Sequence, residues 1–280
     1  MGRHIACLTF DFDAMSGFIA RGMTSPTPVS RGEFGANVGT PRILELLARH
    51  RIPATWFIPG HTLETYPDIC GRVAEHGHEI GHHGWQHISP ALLTREQEEA
   101  ELVRANERIR ALTGAGARGY RSPSWDLSAH SVELLVKHGF AYDSSMMGDD
   151  YTPYRVRNGD VITASEPARF GTPTRLIEMP VSWTLDDYPH FEFIRTSNWI
   201  LPGLMNGSQV LENWIDDFLY MRNHLAWGVI TYTFHPFVIG RGHRMMVLER
   251  LVEGLQRHGA VFMKLEDAAA EYAQHAAFSG

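Results

Sequence analysis

The stretch H-E-I-G-H-H-G-W-Q-H, running from His78 to His87, places four histidines in ten residues. An imidazole is costly in a core unless both ring nitrogens find partners, so such a cluster asks for a chemical reason. His83 and His87 stand four apart. On one helical turn, side chains at that spacing project together and can chelate a single ion. Two neutral imidazoles and one carboxylate leave positions open for water, which is the composition of a catalytic divalent site. Asp13 is the natural carboxylate. In T-F-D-F-D-A, Asp11 and Asp13 lie two apart at the end of an apolar run, so both can face one pocket while Phe12 turns away. The competing reading makes His83 and His87 ordinary rim histidines. His78 opens the preceding strand, and His82 is expected simply to pack against the barrel.

Two further polar residues close apolar runs in the same way: Arg121 in G-Y-R-S-P-S-W and His235 in T-Y-T-F-H-P-F. The elements that must position them follow from the pattern. I-A-C-L-T-F, A-T-W-F-I, H-E-I-G-H-H, F-A-Y-D-S, L-I-E-M-P-V, W-G-V-I-T-Y-T-F and V-F-M-K-L read as buried strands alternating with helices. Near-continuous apolar strands in such alternation predict a parallel sheet. At this length a (β/α) barrel is the expected form. Barrel catalysis is assembled at the carboxyl ends of several strands, where these polar residues fall. An open doubly wound sheet is the alternative, but no glycine-rich dinucleotide fingerprint follows the first strand. The clearest helix is T-R-E-Q-E-E-A-E-L-V-R-A-N-E-R-I-R-A-L, with Thr94 and Gln97 spaced as a capping box. His50, His76, His138 and His258 each end a predicted helix, three of them before a glycine. They read as caps rather than catalysts.

Two regions break the rhythm. A-M-S-G-F-I-A-R-G-M-T-S-P-T-P-V-S-R-G-E-F-G-A-N-V-G after the first strand is expected to be a long loop. M-G-D-D-Y-T-P-Y-R-V-R-N-G-D and, later, T-L-D-D-Y-P-H-F-E-F-I-R-T-S-N-W-I-L-P-G are expected to be irregular and aromatic. Trp125, Trp183 and Trp199 read individually as packing aromatics, and Met245–Met246 as core or rim.

The 280 residues are 44% hydrophobic and 20% charged, enough for one sizeable core. No linker-like shift divides them, so residues 1–280 are expected to form a single domain. A net charge of −7 without charged runs recruits neither nucleic acid nor an anionic membrane. The two cysteines, Cys7 and Cys70, fit buried thiols in a reducing compartment. The amino terminus is too short and polar for a signal peptide and no run is long enough to span a membrane, which predicts a cytoplasmic protein. No motif reports on self-association, so a homo-oligomer whose contacts close the pocket stays open.

T-F-D-F-D-A, H-H-G-W-Q-H, R-S-P-S-W and T-F-H-P, in that order, resemble the motifs of the polysaccharide deacetylases, the NodB-homology or carbohydrate esterase 4 family. The resemblance implies a distorted (β/α) barrel, an Asp-His-His site for one divalent metal, usually zinc, and cleavage of an amide C–N bond. It implies that Asp13, His83 and His87 hold the metal, that Asp11 is the general base with Arg121 as its partner, and that His235 is the general acid. The carboxylate that orients His235 would be Asp143, Asp149 or Asp150. Phe12 separates aspartates that are adjacent in many secreted deacetylases, and Ala14 replaces their glycine. D-F-D-A is similar instead to a subgroup holding allantoinase-like enzymes, cyclic imidases and the Helicobacter-type peptidoglycan deacetylase. The expected substrate is therefore an N-acetylated saccharide or a small cyclic imide or ureide. A catalytically silent carbohydrate-binding barrel is the third reading.

Overall fold

The run R-H-I-A-C-L-T-F-D forms β1 (Arg3–Asp11), buried at every position after Arg3. A strand so covered on both faces belongs at the centre of a parallel sheet. The computed structural model describes residues 2–196 and 198–278. After β1 come β2 (Thr55–Ile58), β3 (Glu79–His82), β4 (Gly119–Tyr120), β5 (Tyr142–Asp143), β6 (Tyr154–Asn158) and β7 (Thr172–Glu178). Then follow β8 (Ile194–Arg195), β9 (Ile200–Leu201), β10 (Trp227–Phe234) and β11 (Val261–Phe262). The helices are α1 (Ser16–Ala20), α2 (Pro26–Phe34), α3 (Thr40–His50), α4 (Gly60–Thr65), α5 (Pro67–Glu75) and α6 (Arg95–Thr113). The second half carries α7 (Ser131–Lys137), α8 (Asp187–Phe191), α9 (Gly207–His224), α10 (Pro236–Ile239), α11 (Gly242–Arg257) and α12 (Leu265–Phe278).

The main sheet has nine strands in the order β10-β1-β2-β3-β4-β5-β7-β6, with β11 also beside β1. All its pairings are parallel except β6 on β7. The expected barrel is thus present in a curled form whose ends, β10 and the β7–β6 pair, do not join as a ladder. The seam is spanned by a single parallel bridge between Asp186 and Thr233 and by the Val229 amide donating to the Tyr151 carbonyl at 2.9 Å. Each predicted strand is found, and β6, β8 and β9 lie within the stretches expected to be irregular.

Alternation along β1 sorts its side chains. Ala6, Leu8, Phe10 and Phe12 join the large core beneath the helices, whereas Ile5 and Cys7 join a second core with Phe57, Tyr142 and Met179. On the face of Ile5 and Cys7, the sequence then turns polar: Thr9, Asp11 and Asp13. Cys7 and Cys70 are buried free thiols.

The stretch after β1 is helical, not a loop. Its prolines fall where helices tolerate them, with Pro26 opening α2. Its glycines mark close backbone approaches. A β-carbon at Gly32 would lie 2.5 Å from the Met15 nitrogen, and one at Gly39 would lie 2.1 Å from the Pro236 carbonyl oxygen. Gly39 closes a π-helical turn, Gly35–Gly39, that leads into α3. These contacts press the inserted helices against the segments that carry Asp13 and His235. The Thr94–Gln97 capping box starts α6 as expected. His76, His138 and His258 cap their helices, followed by Gly77, Gly139 and Gly259 at φ of 77°, 81° and 80°. His50 instead is the last helical residue of α3, and Arg51 takes the left-handed cap.

Candidate active site

Every sequence-predicted site residue lies at, or within a few residues beyond, the carboxyl end of a strand. Asp11 ends β1, and its Oδ1 accepts from Arg121 Nη1 at 2.8 Å. Arg121 follows β4 and is fully buried. Its Nε donates to the Ser144 carbonyl at 3.0 Å, Nη1 also to Thr9 Oγ1 at 2.8 Å, and Nη2 to Ser144 Oγ at 2.9 Å. The guanidinium lies over the Phe57 ring, 4.3 Å from its centroid. A charge so buried is tolerable only with such partners. They fix one carboxylate oxygen of Asp11 and leave Oδ2 turned toward His83, 3.9 Å from its Nε2.

Asp13 lies two residues past β1, held by its own carbonyl, which accepts from the Ser16 amide at 2.9 Å, Ser16 Oγ at 2.6 Å and Thr62 Oγ1 at 2.7 Å. His83 follows β3 and donates from Nδ1 to the Arg121 carbonyl at 2.8 Å. That bond leaves the Nε2 lone pair pointing at Asp13, as a metal-binding histidine requires. His83 Nε2 stands 3.4 Å from Asp13 Oδ1, and His87 Nε2 stands 3.4 Å from Asp13 Oδ2. Tetrahedral ligands at about 2.0–2.1 Å from one ion stand roughly 3.3 Å apart. Asp13 Oδ1 and His83 Nε2 are buried without a hydrogen-bond partner, and the three residues offer ligand atoms within 4.8 Å of one another. The donor set fits a divalent ion. The histidine pair does not lie on a helical turn, however. Residues 83–87 are a loop with left-handed backbone at Gly84 and His87, φ 67° and 60°. The loop is pinned to the start of α4 by the Gly60 and His61 amides, which donate to the carbonyls of Gly84 and Trp85 at 3.0 and 2.9 Å. His82 points away, packed on Tyr120 and Phe140.

The electrostatics match. Burial pushes the Asp13 carboxyl up, but His87, His83 and His235 more than offset it and hold it well below the usual range. Burial holds His87 down to about 4, so its ring is neutral and ready to ligate.

His235 follows β10, and its partner corrects the expectation. Nδ1 donates to Asp187 Oδ1 at 2.8 Å, and Asp186 Oδ1 stands 3.4 Å away. The His235 amide also donates to Asp187, at 3.0 Å. Burial opposes protonation of the ring, yet Asp186 and Asp187 raise it well above its ordinary value. Its Nε2 faces Asp13 Oδ2 at 3.9 Å. None of Asp143, Asp149 or Asp150 reaches it. Asp143 faces Glu178 across the β5–β7 pairing. Asp149 accepts from the Tyr151 and Thr152 amides, and Asp149 and Asp150 are both exposed. The Asp186–Thr233 bridge brings the D-D pair of T-L-D-D-Y to β10, so that Asp187 reaches His235 from 48 residues away. The adjacent aspartates were visible in the sequence, but their strand neighbour was not.

Asp11, Asp13, His83, His87 and His235 line one cavity of about 150 Å³, with Arg21, Ser124, Trp125, Trp183, Asp186 and Tyr188. Trp125 and Trp183, each of which reads from the sequence as a packing aromatic, stack on one another at 4.3 Å and together form its apolar wall. Ala14, His87, Ser124 and Trp125 are four of the six non-glycine residues with positive φ among the described residues. Such conformations cost about 1–2 kcal/mol each, and strain of this kind gathers at functional sites.

Residues 4–142 match the family model described as polysaccharide deacetylase. The peptidoglycan deacetylase of Helicobacter pylori is 37% identical over 263 residues, covering 90% of this chain and 89% of that protein. A crystal structure from Mycobacterium smegmatis, provisionally assigned as a polysaccharide deacetylase, superposes with a TM-score of 0.84 at 28% identity, covering 98% of this chain and 91% of that one. The crystal structure of Puue allantoinase superposes with a TM-score of 0.79, covering 97% of this chain and 90% of that one. At 21% identity it shares the fold.

Proposed function

Because this chain belongs to the polysaccharide deacetylase family and is a hydrolase of that type, we propose that Asp11, Asp13, His83, His87, Arg121 and His235 form its catalytic site for an N-acetylated saccharide. Residues 1–280 would constitute one catalytic domain. The observation that carries this reading is the pair of facing, unpartnered atoms Asp13 Oδ1 and His83 Nε2, with the Arg121-paired carboxylate of Asp11 on one side and the carboxylate-paired imidazole of His235 on the other. Asp13, His83 and His87 would hold one divalent ion, for which zinc is the proposed identity. Bound there, the ion supplies Lewis acidity to water and to the acyl oxygen.

The chain's own residues do the rest. Arg121 fixes Asp11 Oδ1 by its 2.8 Å contact, so Oδ2 is free to take the proton of the attacking water. The Asp186–Asp187 pair keeps His235 protonated, and its Nε2 delivers that proton to the departing nitrogen, without which amide expulsion is slow. The Trp125–Trp183 wall supplies an apolar surface for a sugar ring.

A second reading rests on the small cavity, which suits a cyclic imide or ureide opened inside the cytoplasm. A proton-NMR time course on zinc-loaded protein with an N-acetylglucosamine oligomer and a cyclic imide in one tube separates the two, with His83→Ala as the blank. Acetate release above the blank is the expected outcome. Ring opening alone would replace the deacetylase assignment with the second reading. Neither signal would favour a silent binding barrel.

A further inference from the structure

Arg21 has no role in the chemistry above, yet it lines the same cavity. It caps α1, the short helix that starts three residues after Asp13. Its Nη1 donates to the Gly17 carbonyl at 2.9 Å, which ties the guanidinium back over the helix. A β-carbon at Gly17 would meet Arg21 Nη1 at 3.4 Å, and Asp13 Oδ2 and His87 Nδ1 at 3.7 Å each. The bare Gly17 face is thus the shared floor between the guanidinium and the proposed metal ligands. On its other side the guanidinium lies 6.0 Å from the Tyr188 ring centroid.

The charges of the cavity otherwise pair off. Asp11 answers Arg121 at 2.8 Å, and Asp186 and Asp187 answer His235 at 3.4 and 2.8 Å. Asp13 is matched by the ion it would hold with His83 and His87. Arg21 makes no ion pair with any described residue. Three carboxylates line this cavity, and the cation beside them is left without one. A guanidinium left this way presents a planar fork of donors that suits a carboxylate. The Trp125–Trp183 stack gives the same cavity an apolar wall.

We propose that Arg21 is a specificity-determining residue, binding a carboxylate carried by the substrate beyond its scissile amide. The proposal rests on the metal-hydrolase reading, because the bound ion is what removes Asp13 as a competing partner. Two sources could bring such a group, an acidic amino sugar or a cyclic ureide that carries a carboxylate.

The test uses ligand-observed NMR on zinc-loaded protein at low salt, before turnover accumulates. N-acetylmuramic acid is compared with its methyl ester, and hydantoin-5-acetic acid with its methyl ester. Each pair has nearly the same shape and differs in one charge. Wild-type protein is expected to bind one free acid about 3- to 10-fold more tightly than its ester, roughly one charge-assisted contact. The pair that shows the preference identifies the source. Arg21→Gln is expected to abolish the preference, and Arg21→Lys to restore part of it. A variant that merely perturbs the fold weakens acid and ester alike and leaves their ratio unchanged. No preference in wild type for either acid overturns the proposal. A preference that survives Arg21→Gln also overturns it, since the carboxylate is then held by the zinc itself. If neither sugar releases acetate while the Arg21-dependent preference persists, the deacetylase reading fails and the Arg21 assignment stands.

Discussion

At the scale of single residues, the proposed site separates three tasks that point mutations can tell apart. Asp13→Asn would remove a proposed ligand, so the zinc content of zinc-loaded protein measured after dialysis should fall well below one per chain. Asp11→Asn should keep the metal, because Asp11 is placed to act on water, and should lower kcat by about 10²–10⁴-fold, the usual worth of a general base. Asp187→Asn removes the nearer counterion from His235, whose ring is raised well above its ordinary value by Asp186 and Asp187. In the proposed mechanism the acid form is the active one, and losing a partner moves its deprotonation downward. The alkaline limb of a pH–rate profile should shift to lower pH by about 1–3 units. An unshifted limb would mean that His235 is not the acid. In the sequence, Asp11, Asp13, Arg121 and His235 stand out as polar ends to apolar runs, and His83 and His87 by their spacing; the structure brings these proposed site residues together, though on a loop and not a helical turn for the histidine pair. Asp187 was not. Its nearest signal, an Asp-Asp pair in an aromatic stretch, becomes meaningful only once that stretch lies against β10.

At the scale of elements, two placements deserve separate tests. Gly32→Ala puts a β-carbon 2.5 Å from the Met15 nitrogen, and backbone on both sides cannot yield. It should destabilise by about 1–3 kcal/mol in denaturant unfolding and should also weaken zinc binding, because Met15 sits two residues from Asp13. The second is the strand pair β5–β7, where Asp143 lies opposite Glu178. Glu178 Oε1 accepts from the Ser145 and Met146 amides, both at 2.9 Å, while Asp143 Oδ2 and Glu178 Oε2 have no other partner. Two buried carboxyls in this arrangement must share a proton. Burial raises Asp143 to about 6 and Glu178 well above the usual range. Folded values above unfolded ones mean that the native state holds a proton the unfolded chain gives up. The pair's contribution is therefore full below the ordinary carboxylate range and is lost as pH rises through about 6 and beyond. Stability measured from pH 4 to 8 should fall more steeply in wild type than in Glu178→Gln. The inserted helices were the elements least legible in sequence. Glycine and proline signal loops when read locally, whereas here they mark helix starts and close backbone contacts.

At the scale of the whole molecule, the parallel order followed from strand–helix alternation, but the incomplete closure did not, since periodicity says nothing about which edge strands meet. The proposed metal would tie the loop after β1 to the loop after β3 and bind only the folded chain. Zinc at a thousandfold excess over its Kd should stabilise by about 4 kcal/mol, and removing it with a chelator should lower Tm by roughly 8 °C. An unchanged Tm would mean that no such tie exists. The seam itself has a kinetic consequence. Asp186 both bridges Thr233 and precedes the aspartate that orients His235, so closing the seam at β10 and orienting the proposed acid are one event. A brief local parting there would disarm the enzyme without unfolding it. Amide hydrogen exchange near Asp186 and Thr233 should accordingly report the fraction of time each molecule spends competent to turn over.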